Sequence, residues 1–125
     1  DQALLALRLH GIEHACVNAG GDVGWQGARQ VQMSVRHAQR EARDRRLWRK
    51  GFTQGALATS TAAAHLSEWV CTAGPTIPLW RNATVWAPEC MVADALTKWA
   101  LQSSLLCPQL TAALRQHRAR MWRSA

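Results

Sequence analysis

The stretch CMVADALTKWAL, residues 90–101, sets one carboxylate and one ammonium group into a run of small and apolar residues. Its apolar positions recur at helical spacing, which predicts a helix over about residues 92–103. Residues three and four apart share one face of a helix, so Asp94, Thr97 and Lys98 are expected to project together. Such an aspartate is either a first-turn residue favoured by the helix dipole or a group that binds a ligand. The choice between these two interpretations depends on the rest of the chain.

The residues outside this helix predict an α+β protein in which an antiparallel sheet packs against helices. Strands are indicated by alternating or short apolar runs, and helices by apolar residues at helical spacing with a glycine stop at Gly11. Further helices are predicted over 2–10 and about 108–122. Strands are predicted at 13–19, 29–37 and 83–88, and residues 52–60 are interpreted as a strand that runs into a polar turn. The first of these strands is expected to be buried, and the arginine-rich stretch 36–50 is interpreted as a connector.

Length and composition favour one globular domain, residues 1–125. Apolar residues make up 48% of the chain and charged residues 18%, which is typical of a folded protein and not of a disordered one. No apolar run reaches the length of about 20 residues that a transmembrane helix needs. The chain opens on Asp1 without a secretory signal, so we interpret it as a mature product or a piece of a longer protein. Four of its tryptophans are expected in the core: Trp25, Trp48, Trp86 and Trp99.

The stretch VNAGGDVGWQG, residues 17–27, places paired glycines directly after a predicted strand. Gly20 and Gly21 can adopt positive φ and let a ligand approach the backbone closely, and Asp22 offers an acceptor for a hydroxyl or a ring N–H. The same residue types also build ordinary hairpin turns. Taken alone, this stretch leaves both interpretations open.

Two further groups of residues could bind a phosphate or a metal ion. In GALATSTAAAH, residues 55–65, Thr59 and Ser60 offer adjacent hydroxyls and are expected to cap a helix whose N–H groups face an anion. The alternative is a cap without any ligand. On the opening helix, Asp94 and Thr97 form a carboxylate–hydroxyl pair of the hard-oxygen kind that Mg²⁺ prefers.

The order of these motifs resembles that of the ApbE family of FAD:protein FMN transferases. The resemblance rests on LHGIEHACVNAGGDVGWQG (9–27), GALATS (55–60) and TVWAPECMVADALTKWAL (84–101), against a family pattern of N-x-G-G-D, then A-T-S-G, then T-V-x-A and A-D-A-L-x-T. It extends to about residue 106. It implies an ApbE-like (T-fold-like) domain of which this chain is the C-terminal part, incomplete at the N-terminus.

The resemblance also implies an activity and its ligands. Members of the family bind FAD, use Mg²⁺ on its pyrophosphate, and transfer FMN to a Thr or Ser hydroxyl of a target flavoprotein with release of AMP. Bacterial relatives act in the periplasm or at the membrane surface. Matched residue by residue, Asp94 would be the metal carboxylate, and Thr97, on the same face, would serve as its hydroxyl partner. The flavin site would be lined by Gly20, Gly21 and Asp22, with Thr59 and Ser60 at the cleft. Alternatively, the Lys98 ammonium group would itself neutralise the phosphate charge as a point cation.

The chain departs from the family pattern at several places. The metal-site threonine of the family falls on Lys98, with Thr97 one position earlier, and the glycine after A-T-S is Thr61. The family's histidine loop with D-P-x-T-G has no clear counterpart in residues 65–78, so no catalytic residue is assigned. The family's D-L-G-x-x-A-K-G segment is missing, and Asp1 matches the aspartate just after it. These departures leave open a degenerate flavin-binding or subunit-interaction module, or a second chain that completes the fold.

The net charge of +7 raises a third possibility, a nucleic-acid-binding domain. Its positive residues cluster in 36–50 and 115–123. No recognisable nucleic-acid-binding motif accompanies them, and solvated surfaces have the same composition. Nucleic acid is therefore the least favoured partner, and the role of the arginine-rich stretch 36–50 stays open.

Overall fold

A computed structural model of the chain describes residues 1–36, 46–62 and 80–124. Within these ranges the protein is α+β, with three helices and seven strands. The helices are α1 (Gln2–Leu9), α2 (Cys90–Gln102) and α3 (Pro108–Gln116). The strands are β1 (Ala15–Ala19), β2 (Asp22–Gln26), β3 (Val31–Arg36), β4 (Arg46–Phe52), β5 (Gly55–Thr61), β6 (Asn82–Ala87) and β7 (Arg120–Ser124). None of the helices in the described ranges is long and apolar enough to cross a bilayer.

The described strands form one main sheet and one separate ribbon. The main sheet has five strands in the order β1-β2-β5-β6-β7, and every neighbouring pair in it is antiparallel. Strands β3 and β4 pair only with each other, also antiparallel, within the described residues. The predicted α+β class and the antiparallel sheet are confirmed.

One face of the sheet is covered by α2. Ala56 and Ala58 of β5 and Val85 of β6 are buried against Ala93 and Ala100 of the helix. Because most of these side chains are small, the helix backbone can lie close to the strands with little room for voids. This close packing sets the position of the α2 backbone relative to the sheet.

The opposite face of the sheet carries a second apolar cluster. Trp25 and Leu57 are 1% and 9% exposed, and Trp86 packs against them while remaining partly exposed. The core position predicted for Trp25 is confirmed. The one predicted for Trp99 is wrong, since its side chain is 41% exposed on the flank of α2 that faces away from the sheet. The side chain of Trp48 lies outside what the structure describes.

The paired glycines form the turn of the β1–β2 hairpin. Ala19 and Asp22 are cross-strand partners, so the turn consists of Gly20 and Gly21, whose φ angles are 67° and 110°. Two consecutive positive φ angles match the right-handed twist of a hairpin and are strained for residues with a side chain. Asn18 Oδ1 accepts a hydrogen bond of 3.0 Å from the Gly21 N–H. The hairpin interpretation of this stretch is thus confirmed, and it does not exclude a bound ligand.

Several sequence expectations about the strands need correction. Strand β1 was expected to be buried, but it lies at the edge of the described sheet and most of its residues are exposed. Strand β2 was not predicted, because its VGW sequence reads as a continuation of the glycine-rich turn. The arginine-rich stretch 36–50 is not only a connector, since β4 begins at Arg46 and pairs with β3. Residues 37–45, and the 65–78 segment compared with the histidine loop, lie outside the described ranges.

The last helix is shorter than expected. It was predicted to run to about residue 122, but α3 ends at Gln116. Arg118 adopts a left-handed conformation with φ 53°, and the Ala119 N–H then bonds to the Leu114 carbonyl at 2.7 Å. This is the geometry of a helix C-terminus, usually marked by glycine, and the arginine in its place gave no signal. The chain then continues as β7 along β6.

Candidate functional site

The N-terminus of α2 is closed by the carboxylate of Asp1. Its Oδ1 accepts a hydrogen bond of 2.8 Å from the Cys90 N–H, and its Oδ2 accepts one of 3.0 Å from the Met91 N–H. These are two of the backbone donors that a helix N-terminus leaves without intrahelical partners. Because Asp1 also begins α1, one carboxylate joins the starts of two helices.

One turn into α2, Asp94 and Lys98 form an ion pair. The Lys98 Nζ donates to Asp94 Oδ1, and the two side chains are 45% and 41% exposed. They stand four positions apart on the helix, which is the spacing that allows this contact. The sequence prediction that Asp94 and Lys98 project together is confirmed.

Asp22, at the start of β2, lies near this ion pair, and we call Asp22, Cys90, Asp94 and Lys98 the cluster. The pKa of its carboxyl group is raised above the ordinary value, first by burial and then by the nearby charge of Asp94. Lys98 and a hydrogen bond from the Thr59 backbone act in the opposite direction. The charges of Asp94 and Lys98 therefore lie within electrostatic reach of Asp22, and Ser60 of β5 contacts Thr97 of α2, so the hairpin, β5 and α2 converge at this point.

Cys90 is a further member of the cluster that sequence reasoning missed. The pKa of its thiol is raised by burial and by the charges of Asp22 and Asp94, and lowered by the chain's amino terminus. The signal was present in the sequence, since Cys90, Asp94 and Lys98 are spaced four apart and follow one stripe of the helix. A half-buried thiol with a raised pKa is a poor nucleophile, so we assign no reaction to it.

Thr97 lies behind the cluster and not within it, so the prediction that it projects together with Asp94 and Lys98 is wrong. Its side chain is fully buried, and its Oγ1 donates a hydrogen bond of 2.7 Å to the Asp94 carbonyl. Ser60 Oγ lies 2.6 Å from the same hydroxyl. Because the Thr97 proton is used on the carbonyl, Ser60 is the donor in this second bond. The hydrogen bond between Ser60 and Thr97 therefore links β5 to α2 beneath Asp94.

Thr59 and Ser60 are strand residues, so their predicted role as helix caps is wrong. They belong to β5, which continues through Thr61. Adjacent strand residues point to opposite faces of a sheet. Ser60 faces α2, whereas Thr59 Oγ1 lies on the other face, 2.9 Å from Thr84 Oγ1. Thr59 contributes to the cluster only through its backbone.

The described side chains do not fit a magnesium ion as they are arranged. In the part of the chain that the structure describes, no three His, Cys, Asp or Glu side chains are grouped closely enough to hold a metal ion. The Asp94 carboxylate is engaged by an ammonium group, and the Thr97 hydroxyl is buried and already bonded twice. Magnesium thus stays a prediction from the family resemblance.

An open cleft of about 400 Å³ is lined in part by Asp1, whose carboxylate bonds the backbone N–H of Cys90 in the cluster. It lies between α1, the end of β2 and the loop before α2, a volume within the usual range of small-molecule sites. On its wall, Arg8 Nη2 donates to Gln26 Oε1 at 2.9 Å, and Gln26 Nε2 donates to the Leu4 carbonyl at 3.1 Å. The lining residues are Asp1, Leu4, Leu5, Arg8, Trp25, Gln26, Gln54, Gly55, Pro88 and Glu89.

Together these observations define an α+β domain with a mixed acidic and basic cluster beside a cleft. A scan against protein-family models finds no family that matches the chain, and a search of curated proteins finds no relative.

Proposed function

We propose that the chain is an ApbE-like domain that binds a flavin nucleotide and acts as an FAD:protein FMN transferase. The observation that supports this best is the convergence of three motifs that are far apart in sequence. Asp22 of the glycine hairpin, the Thr59–Ser60 segment of β5 and the Asp94–Lys98 turn of α2 meet at one place. These are the three motifs on which the family resemblance was based.

Transfer of FMN from FAD requires mainly that the protein position the reacting groups and stabilise negative charge. In the proposed reaction, a Thr or Ser hydroxyl of the target flavoprotein attacks the FMN phosphorus of FAD, and AMP leaves. Transfers of this kind are accelerated mainly by orienting the groups and stabilising negative charge. Lys98 supplies positive charge toward the phosphates, and Asp22 is an acceptor for a flavin N–H or a ribityl hydroxyl. The open turn at Gly20 and Gly21 leaves space for the flavin ring.

The cleft beside Asp1 is a place for the remaining part of the nucleotide. Its wall is stiffened by the Arg8–Gln26 bond, and its rim includes the loop that leads into α2. We further propose that a second chain or further sequence completes the site, and that the protein acts in the periplasm or at a membrane surface. These last points rest on the resemblance alone.

The test of the proposed function is FAD binding followed by transfer. FAD is titrated into the protein with flavin and tryptophan fluorescence as readouts, for the wild type, Asp22→Asn and Asp94→Asn. Saturable binding that weakens in both variants, with AMP and a flavin-labelled Thr or Ser in an acceptor protein, is the expected result. Glu13→Gln, an exposed charge removal outside the cluster, is the control. Absence of FAD binding in the wild type would refute the proposal.

A second candidate is a flavin-binding or subunit-interaction relative without transferase activity. It is favoured by the Asp94–Lys98 contact and by the buried Thr97, both of which depart from a metal-assisted phosphate site. The same experiment distinguishes the two. FAD binding without release of AMP, in the presence of a competent acceptor protein, identifies the non-catalytic relative.

A further inference from the structure

We infer that Lys98 takes the place of the divalent cation at this site, so that a phosphate-bearing ligand is bound there without metal. The inference rests on the proposed function for the identity of the ligand as a pyrophosphate. It goes further in naming the residue that makes the site metal-independent. In a metal site, a carboxylate holds the cation and the cation holds the phosphate. Here Asp94 would hold the Lys98 ammonium group, and the ammonium group would hold the phosphate.

The geometry of Lys98 suits this role. A lysine ammonium has three N–H donors, and the contact with Asp94 uses one of them. The side chain is 45% exposed, so the other donors can reach a ligand above the helix. The contact with Asp94 restricts the Lys98 side chain to fewer conformations before a ligand binds. Less conformational entropy is therefore lost on binding.

Thr97, the threonine that would complete a metal site, is buried and does not face the place where a metal ion would lie. The fully buried Thr97 hydroxyl donates to the Asp94 carbonyl and accepts from Ser60. To reach a metal ion beside the exposed Asp94 carboxylate, this buried hydroxyl would have to rotate away from both partners and leave Ser60 without its acceptor, which is costly inside a protein. The position one residue later, which projects outward, holds Lys98 instead.

The charges of Asp22, Asp94 and Lys98 are arranged as expected if the Lys98 ammonium group is the cation of this site. Asp22 and Asp94 lie close enough to repel one another, and Lys98 is the positive side chain that opposes this repulsion at Asp22. A divalent ion added beside the ammonium group would be repelled by it. Removing Lys98 should therefore weaken phosphate binding and at the same time open the two carboxylates to a metal ion.

The experiment compares the wild type with Lys98→Ala, Lys98→Thr and Lys98→Arg. Arg115→Ala, which removes one exposed positive charge from α3, is the matched control. Two probes, FAD and inorganic pyrophosphate, are titrated calorimetrically in EDTA and in Mg²⁺. Binding of Mn²⁺ alone is followed by its EPR signal, and circular dichroism verifies that each variant is folded.

The inference expects wild-type affinity for both probes to be the same in EDTA and in Mg²⁺. Loss of the charge-assisted bond in Lys98→Ala should weaken binding in EDTA by about tenfold or more. Lys98→Arg should retain most of the affinity and Arg115→Ala nearly all of it. Lys98→Thr should bind Mn²⁺ more tightly than the wild type and regain a dependence on Mg²⁺.

The other outcomes separate this inference from the proposed function. FAD binding that requires Mg²⁺ in the wild type overturns the inference and leaves the proposed function standing. Pyrophosphate binding in EDTA that depends on Lys98, without FAD binding, supports the inference and overturns the function. If neither probe binds, both are overturned.

Discussion

Arg123, on the edge strand β7, closes the C-terminal end of α2. Its guanidinium group donates to the Ser103 carbonyl at 3.0 Å and to the Ala100 carbonyl at 3.4 Å, and it lies 4.6 Å above the Trp80 ring. Arg123→Ala is expected to lower the free energy of unfolding by about 2–3 kcal/mol, because charged hydrogen bonds and a ring contact are lost. Urea denaturation measures the change, with Arg115→Ala as control. Equal effects of the two substitutions would contradict this role.

Thr97 gives a second expectation for a single residue. Thr97→Val keeps the shape of the buried side chain and removes its bonds to the Asp94 carbonyl and to Ser60. We expect a loss of about 1–2 kcal/mol in the free energy of unfolding, and no change in the affinity for FAD. The stability loss should be smaller when Ser60→Ala is already present, because the bond is then gone. A selective loss of Mg²⁺-dependent binding would instead identify Thr97 as a metal ligand.

Asp22 makes stability depend on pH. Its pKa is raised in the folded chain above the ordinary value of 3.8, so its stabilising neutral form is lost as the pH rises through the folded pKa. Asp22→Asn keeps a neutral side chain at every pH. We therefore expect the variant to match the wild type below pH 3.8 and to become more stable than it as the pH rises. Thermal unfolding across this range measures the difference, and a variant that is less stable at neutral pH would contradict the expectation.

At the scale of the elements, the start of β5 depends on a glycine. Gly55 has φ 141°, and a side chain there would place its Cβ 2.6 Å from Trp86 Nε1. Gly55→Ala is expected to cost about 3 kcal/mol, through backbone strain and this collision. Gly21→Ala, with φ 110° and no described atom within 4 Å of the added Cβ, should cost about 1 kcal/mol. Equal shifts of the urea midpoint would show that the contact with Trp86 contributes nothing.

Helices α1 and α2 were predictable to within two residues, because their apolar spacing is clear and Gly11 marks the end of the first. The strands that were missed depend on information outside their own sequence. Strand β4 is rich in arginine and is ordered by pairing with β3, and β7 begins only because Arg118 ends α3 in a conformation more typical of glycine. Local propensity does not report either effect.

The candidate site was predictable only in part for a similar reason. The contact between Asp94 and Lys98 follows from their spacing on one helix, whereas the approach of Asp22 depends on how three strands order themselves in the sheet. The opposite directions of Thr59 and Ser60 follow from the strand period once the segment is recognised as a strand. The interpretation of Thr59 and Ser60 as a helix cap did not predict that their side chains lie on opposite faces of the sheet.

At the scale of the whole molecule, α1 is attached to the fold by few interactions. None of its residues, all of which the structure describes, is buried. Its main attachments among the described residues are the bonds of Gln26 with the Arg8 side chain and the Leu4 carbonyl, and the carboxylate of Asp1 on α2. Segments with so little buried apolar surface open more readily than the sheet beneath them.

The bond between Asp1 and Cys90 joins residues that are 89 positions apart in the sequence. Contacts that close such long loops form late, after local hairpins and helices have reduced the length of chain that must be ordered. During refolding, Trp25 should therefore become buried in its sheet cluster before α1 reaches α2. The edge of the candidate site that Asp1 forms with α2 would then be among the last parts of the described fold to form.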